Sequence, residues 1–121
     1  QPVAALFVVD ARGGFVGPIR LLVGIDASGS VTGVRVLEHR ETPGRGDGID
    51  PNKSDWALQF TGHSLEDPAP PGWAILRDGG EFDQLTGASI TPRAVIRGVK
   101  ETLQYFDEHR DSVFAMVKDD E

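Results

Sequence analysis

Val95, Val99, Leu103 and Phe106 recur at helical spacing over the last third of the chain and demand one amphipathic helix. Thr91 suits its N-cap and Pro92 its first helical position. A helix with one apolar stripe must bury it against a second layer. That layer lies upstream. Apolar, β-branched runs at Val3 to Val9, Ile19 to Ile25 and Val31 to Leu37 read as strands separated by Gly-containing turns, with Asp26-Ala27-Ser28-Gly29-Ser30 as a hairpin connection. A further short strand is expected at Trp73 to Leu76, after the Pro-rich loop Asp67 to Gly72, and a short helix at Asp55 to Phe60. The final helix is expected to break near His109, with Ser112 to Val117 continuing it or adding one more turn. No internal repeat is present. The chain therefore reads as a single α+β domain over residues 1–121, a twisted, mostly antiparallel sheet with a long C-terminal helix.

Composition narrows the functions open to such a domain. At 121 residues it can bury roughly two thirds of its unfolded surface and hold one core. Its net charge of −7 argues against a nucleic-acid surface, which needs clustered Lys and Arg. With no cysteine the chain forms neither disulfides nor iron–sulfur ligation, so such chemistry would sit on a partner. No apolar run approaches the roughly 20 residues that cross a bilayer, and the opening at Gln1 has no signal-peptide pattern. The expectation is a soluble fragment.

The residues leading into the helix carry the most chemistry. Phe82-Asp83-Gln84-Leu85-Thr86-Gly87-Ala88-Ser89-Ile90-Thr91-Pro92-Arg93 delivers a cluster of hydroxyls onto a helix start, where unpaired N–H groups and the macrodipole favour an anion. Gly87, lacking a Cβ, permits close backbone approach, and Ser89 offers a hydroxyl just upstream. From spacing alone the same run reads more readily as a small-residue loop ending in an N-cap, for such loops are common. Arg93 reads either as a cation offsetting a bound anion or as a solvated first-turn residue.

Asp83-Gln84-Leu85-Thr86-Gly87-Ala88-Ser89-Ile90-Thr91 resembles the covalent-flavin motif Asp-x-x-(Ser/Thr)-Gly-Ala-(Thr/Ser)-x-(Thr/Ser) of the FMN-binding domain family found in the RnfG and NqrC subunits of bacterial respiratory complexes. A second segment, Glu38 to Asp47, resembles that family's Glu-Thr-Pro-Gly loop and is followed by Ser54-Asp55-Trp56. Two separated motifs in the right order are far more specific than one. The likeness is greatest to the RnfG type and runs from about Ile19 to Val99, taking in Leu21 to Gly24 and Asp78 to Asp83.

The resemblance implies FMN joined through its phosphate to the hydroxyl of Ser89, where the family usually has threonine. Serine forms the same phosphodiester but lacks the γ-methyl that restricts χ1. Thr91 is the alternative attachment point. The resemblance also implies cofactor contacts from Thr86, Gly87 and Ala88, recognition of Asp83 by a separate flavin transferase using FAD, a phosphate charge offset by the helix N-terminus and Arg93, and a flavin ring lying beside Thr42, Pro43 and Gly44, with Glu41 and Trp56 nearby. It implies an electron-carrier domain with no catalytic residue of its own, working with the other subunits of an Rnf-type membrane complex. Related proteins carry an N-terminal transmembrane helix that places the domain on the outer, periplasmic face of the cytoplasmic membrane. The competing class is a noncovalent flavin-binding or redox-sensing module.

Other readings carry less. Residues 41–47 hold a Pro-Gly pair with Gly46 and Gly48 close by, and so form first of all a turn. Arg45-Gly46-Asp47 matches an adhesion tripeptide, a pattern of little specificity. Asp47, Asp50, Asn52 and Asp55 could offer oxygen ligands to calcium, yet their spacing misses the EF-hand order and its closing Glu. His39, His63 and His109 form no zinc-type pair, and no metal site is expected. Ser89 has no Gly-x-Ser-x-Gly elbow and no sequence hint of a histidine base, which disfavours a hydrolase.

Overall fold

A computed structural model of the chain describes residues 4–14, 17–85 and 88–119. Strands β1 (Ala4–Ala11), β2 (Ile19–Asp26) and β3 (Val31–Glu38) form an antiparallel meander in the order β1-β2-β3. Alternation along β2 decides the register: Ile19, Leu21, Val23 and Ile25 all point to one face and are completely buried. Each such side chain contributes about 1.5–3 kcal/mol by leaving water. Val3, expected in the first strand, lies outside the described residues, and β1 runs two residues beyond Val9 to pair Ala11 with Ile19.

The β2–β3 hairpin is organised by Asp26. Its Oδ1 accepts from the Ser28 hydroxyl at 2.6 Å and from the Ser28 and Ser30 N–H groups at 3.0 Å each. These bonds, the Ser28 hydroxyl foremost, hold the Asp26 carboxyl below its ordinary pKa.

Helix α1 (Ile90–Asp119) lies across the buried face of the sheet, and Ala94, Val95, Ile96, Val99, Leu103 and Phe106 line the contact. The four apolar positions read from the sequence are all in it. Phe106 meets Phe7 of β1 edge-on, ring centroids 6.4 Å apart. At His109 the backbone leaves helical values (φ −120°, ψ 18°) and the helix resumes beyond this kink, where a break was expected.

The helix starts two residues earlier than its sequence signal, at Ile90 and not Pro92. Its first bond runs from the Arg93 N–H to the Ser89 carbonyl, 3.2 Å, which makes Ser89 the flanking residue and places Thr91 inside the first turn. Pro92 still lies in the first turn, where a missing N–H costs no helical bond.

Residues 39–89 cross the same core without a regular strand or α-helix among the described residues, turning through short 3-10 segments at Gly46–Ile49, Trp56–Phe60, Pro70–Gly72 and Leu76–Asp78. The helix expected at Asp55 to Phe60 is thus a single tight turn. The strand expected at Trp73 to Leu76 is one parallel bridge, Ile75 to Phe82, after which the chain reverses at Gly79 (φ +86°) with the Gly80 N–H on the Ile75 carbonyl, 3.0 Å. Side-chain packing holds this half. Phe60 stacks on Phe82 at 5.0 Å, Trp73 tilts against Phe82 at 4.9 Å, and Trp56 meets Phe60 edge-on at 5.4 Å. Two backbone bonds of 2.8 Å join it to the sheet, from Val31 N–H to the His63 carbonyl and from Gly62 N–H to the Val31 carbonyl.

Candidate functional site

Two segments far apart in sequence meet at the start of α1. Glu41 is buried, and its carboxylate accepts a hydrogen bond from the hydroxyl of Thr91, itself buried. Gly46 packs into the same seam: a Cβ there would lie 2.6 Å from Thr91 Oγ1 and 3.0 Å from the Glu41 Cβ. The absence of a side chain at Gly46 is what lets the loop reach the helix. Upstream, the Glu41 N–H donates to His39 Nδ1 at 3.1 Å, while His39 Nε2 faces Asp50 Oδ2 at 3.3 Å. That bond from His39, with the Asn52 N–H on Asp50 as the larger cause, keeps the Asp50 carboxyl below its ordinary pKa.

Beside this seam opens a cleft of about 160 Å³ lined by Thr42, Arg45, Gly46, Ala88, Ser89, Ile90 and Thr91. Ser89 Oγ accepts from Arg93 Nη1 at 3.3 Å. Arg93 is itself held by a two-pronged ion pair with Asp78, Nε to Oδ2 at 2.7 Å and Nη2 to Oδ1 at 2.8 Å. The pair raises the Arg93 pKa and lowers that of Asp78. Asp78 thus fixes Arg93 in place, and Arg93 reaches back one turn to the hydroxyl. Arg45 differs, for among the described residues its guanidinium meets no carboxylate, although it lines the cleft.

The remaining residues expected at the site fall in three places. Thr86 and Gly87 lie outside the described residues. Pro43 and Gly44 are exposed on the rim next to Thr42, with Gly44 at φ +80° and its N–H on Asp47 Oδ1 at 2.9 Å. Trp56 and Asp83 support the site from behind: Trp56 is buried against Phe60 and donates its Nε1–H to the Asp83 carbonyl at 2.7 Å, while the Asp83 N–H reaches Gln59 Oε1 at 2.8 Å. Asp83 itself lies on an exposed surface. The acids weighed as calcium ligands are used locally, Asp47 on Gly44 and Asp50 on Asn52 and His39.

Sequence reasoning missed Arg45 and Asp78 as parts of the site. Arg45 was legible only as the odd cation in a glycine loop, and Asp78 belonged to a matching segment with no role attached. Their contributions depend on pairings across 44 and 15 positions that no local pattern announces.

Arg45, the serine hydroxyl that Arg93 reaches and the start of a long helix thus line one cleft of an α+β domain. The chain belongs to the FMN-binding domain family, whose pattern matches residues 14–104. It is 50% identical over 115 residues to the G subunit of the ion-translocating oxidoreductase complex of Pseudomonas aeruginosa (strain UCBPP-PA14), covering 95% of this chain and 54% of that protein. The corresponding protein of Shewanella loihica is 50% identical over 113 residues, 93% of this chain and 53% of that protein. That of Cereibacter sphaeroides (strain ATCC 17029 / ATH 2.4.9) is 51% identical over 102 residues, 84% and 47%. The chain thus spans about half the length of the curated relatives it matches. Among the described residues no helix is long and apolar enough to cross a membrane.

Proposed function

We propose that this domain carries FMN joined through its phosphate to the Ser89 hydroxyl and passes electrons between the redox subunits of an Rnf-type ion-translocating membrane complex. The observation that carries the reading is the convergence of Ser89, Arg45 and the start of α1 on one cleft. The residues fit the group. A phosphodiester keeps one negative charge, which Arg45 and the helix N-terminus can offset by about 0.3–2 kcal/mol. A space of about 160 Å³ is smaller than the roughly 300–1,000 Å³ usual for a complete small-molecule site. It suits the phosphate end of FMN and leaves the ring outside, on the side of the exposed rim at Thr42, Pro43 and Gly44.

When bound, FMN supplies the redox chemistry. The chain's own residues bind and orient. Asp78 holds Arg93, Arg93 holds the Ser89 hydroxyl, and Trp56 and Gln59 fix the backbone of Asp83 six residues before the acceptor. Attachment requires a separate transferase using FAD: the Ser89 oxygen attacks the FMN-side phosphorus, the bond to the AMP oxygen breaks, AMP leaves, and the serine proton passes to a base on the transferase. A carrier of this kind gains from a covalent link because its ring can stay open to a partner without being lost. The identity to these oxidoreductase-complex proteins supports placing the domain in such a complex; its place on the outer, periplasmic face of the cytoplasmic membrane, held by a membrane anchor, is part of the same proposal.

The test is intact-mass analysis of the domain co-expressed with a flavin transferase in the periplasm, followed by peptide mapping. A gain of one FMN less water on Ser89, absent in Ser89→Ala, is the expected result. Flavin that leaves on denaturation would establish a noncovalent binder instead. No flavin on the native chain, with modification of a Ser89→Thr control, would refute the reading for this sequence.

A further inference from the structure

Two hydroxyls, those of Ser89 and Thr91, flank Ile90 at the entry to α1, and the transferase must modify one of them. Either could form the same phosphodiester. Their surroundings differ in sign. Ser89 is partly exposed, lines the cleft together with Arg45 and receives Arg93 Nη1 at 3.3 Å. Thr91 is only 2% exposed, donates its hydroxyl proton to the Glu41 carboxylate, and is overlaid by Gly46.

Resting on the reading of Ser89 as an FMN carrier, we infer that Glu41 is a specificity-determining residue: it reserves Ser89 for the flavin phosphate by occupying the Thr91 hydroxyl and placing a buried anion beside it. Two physical effects act together. The Thr91 oxygen must give up a charge-assisted hydrogen bond before it can attack phosphorus, and the carboxylate would then stay buried without that donor. An incoming phosphate at Thr91 would also approach the Glu41 carboxylate, and like charges at close range in a poorly solvated seam repel strongly. At Ser89 the same phosphate would meet Arg93, which already reaches the hydroxyl, in a cleft that Arg45 also lines. In this role Glu41 acts through Thr91, whose hydroxyl it holds.

His39 supports the arrangement by accepting the Glu41 N–H, which fixes the backbone from which the carboxylate extends. The loop is thus anchored on both sides of the carboxylate, by His39 before it and by Gly46 against Thr91 after it.

The experiment maps the flavin adduct by intact mass and peptide sequencing in the native domain and in Ser89→Ala, Glu41→Gln, Glu41→Asp, Glu41→Ala and Ser89→Ala/Glu41→Ala, each co-expressed with the transferase and checked for helix content by circular dichroism. The native chain is expected to carry its adduct on Ser89 alone, and Ser89→Ala to carry none on Thr91. Glu41→Gln, whose amide oxygen still accepts from Thr91, is expected to keep the adduct on Ser89. Glu41→Ala is expected to divide it between Ser89 and Thr91, and Ser89→Ala/Glu41→Ala to place it on Thr91. Glu41→Asp, one methylene shorter and the mildest packing change, is expected to move in the same direction and serves if the alanine variants do not fold. A Thr91 adduct in Ser89→Ala with Glu41 intact would overturn the inference. So would folded Glu41→Ala and Glu41→Asp domains that carry flavin on Ser89 alone at the native rate. Failure of the native chain to carry any adduct would instead sink the Ser89 reading itself.

Discussion

Replacing Gly46 by alanine tests the seam on which the site depends. The new Cβ would lie 2.6 Å from Thr91 Oγ1, 3.0 Å from the Glu41 Cβ and 3.3 Å from the Thr91 Cβ. None of the three atoms moves cheaply: the hydroxyl is held by Glu41, the Glu41 backbone by His39, and Thr91 by the helix. Overpacking of this kind costs about 1–3 kcal/mol. Against it stands the usual gain of about 0.4–1 kcal/mol from restricting the unfolded chain, available because Gly46 does not occupy a positive φ. The net expectation is a loss of roughly 1–2 kcal/mol, a fall of about 4–8 °C in Tm for a domain of this size. Urea unfolding with an unchanged m-value measures it. Flavin transfer to Ser89 should slow at the same time, because the loop can relieve the clash only by drawing away from the helix. Gly62→Ala is the control: nothing lies within 4 Å of its Cβ, but its φ of +91° makes any side chain strained by about 1–2 kcal/mol. It should lose similar stability without the same loss in transfer rate. A Gly46→Ala domain as stable as the native one, with transfer unimpaired, would refute the claim that loop and helix are in contact there.

Further outcomes follow from other parts of the structure. Phe60→Ala empties the centre of a cluster in which Trp56, Trp73 and Phe82 surround a completely buried ring; it should cost about 3–5 kcal/mol in urea unfolding and open both tryptophans to a fluorescence quencher. Arg45→Glu should slow flavin transfer by roughly twofold to thirtyfold, with thermal stability unchanged, since the charge attraction lost at the cleft is about 0.3–2 kcal/mol. The Asp26 carboxyl has a folded pKa below its unfolded one, so its contribution is complete above an unfolded value of about 3.9 and is lost as pH falls through that value towards the folded pKa. Asp26→Asn should accordingly flatten the acid limb of a stability-versus-pH curve and leave its slope near neutrality unchanged.

The sheet and the long helix were legible because their signals are local. Period-two burial in β2 and the helical recurrence of Val95, Val99, Leu103 and Phe106 are properties of neighbouring residues, and the structure buries all of them. The middle of the chain was less legible for a physical reason. Between residues 39 and 89 order comes from aromatic stacking and single backbone bonds, so Trp73 to Leu76 has strand-like residues but only one bridge, and Asp55 to Phe60 has helix-like content but one turn. Thr91 illustrates the limit most clearly. Thr-Pro is a sound local helix-entry signal, yet Glu41, 50 positions away, takes the hydroxyl and the helix begins before it.

That distance has a functional consequence. The wall holding Arg45 and the wall holding Ser89 belong to segments joined by more than forty residues with little regular secondary structure, so their spacing is set by packing and not by helix or strand geometry. Trp56 is the pivot of this arrangement, because its ring packs on Phe60 while its Nε1–H holds the Asp83 carbonyl at the head of the attachment segment. Trp56→Phe keeps the aromatic contact and deletes that bond, at a cost of about 0.5–1.5 kcal/mol plus whatever the carbonyl loses by burial. If the cluster positions Ser89, flavin transfer in this variant should fall by more than its stability does. Equal transfer rates for native and Trp56→Phe domains, measured well below both unfolding transitions, would mean that the Trp56 bond does not position Ser89 and that Gln59 on the Asp83 backbone and the Asp78–Arg93–Ser89 chain suffice.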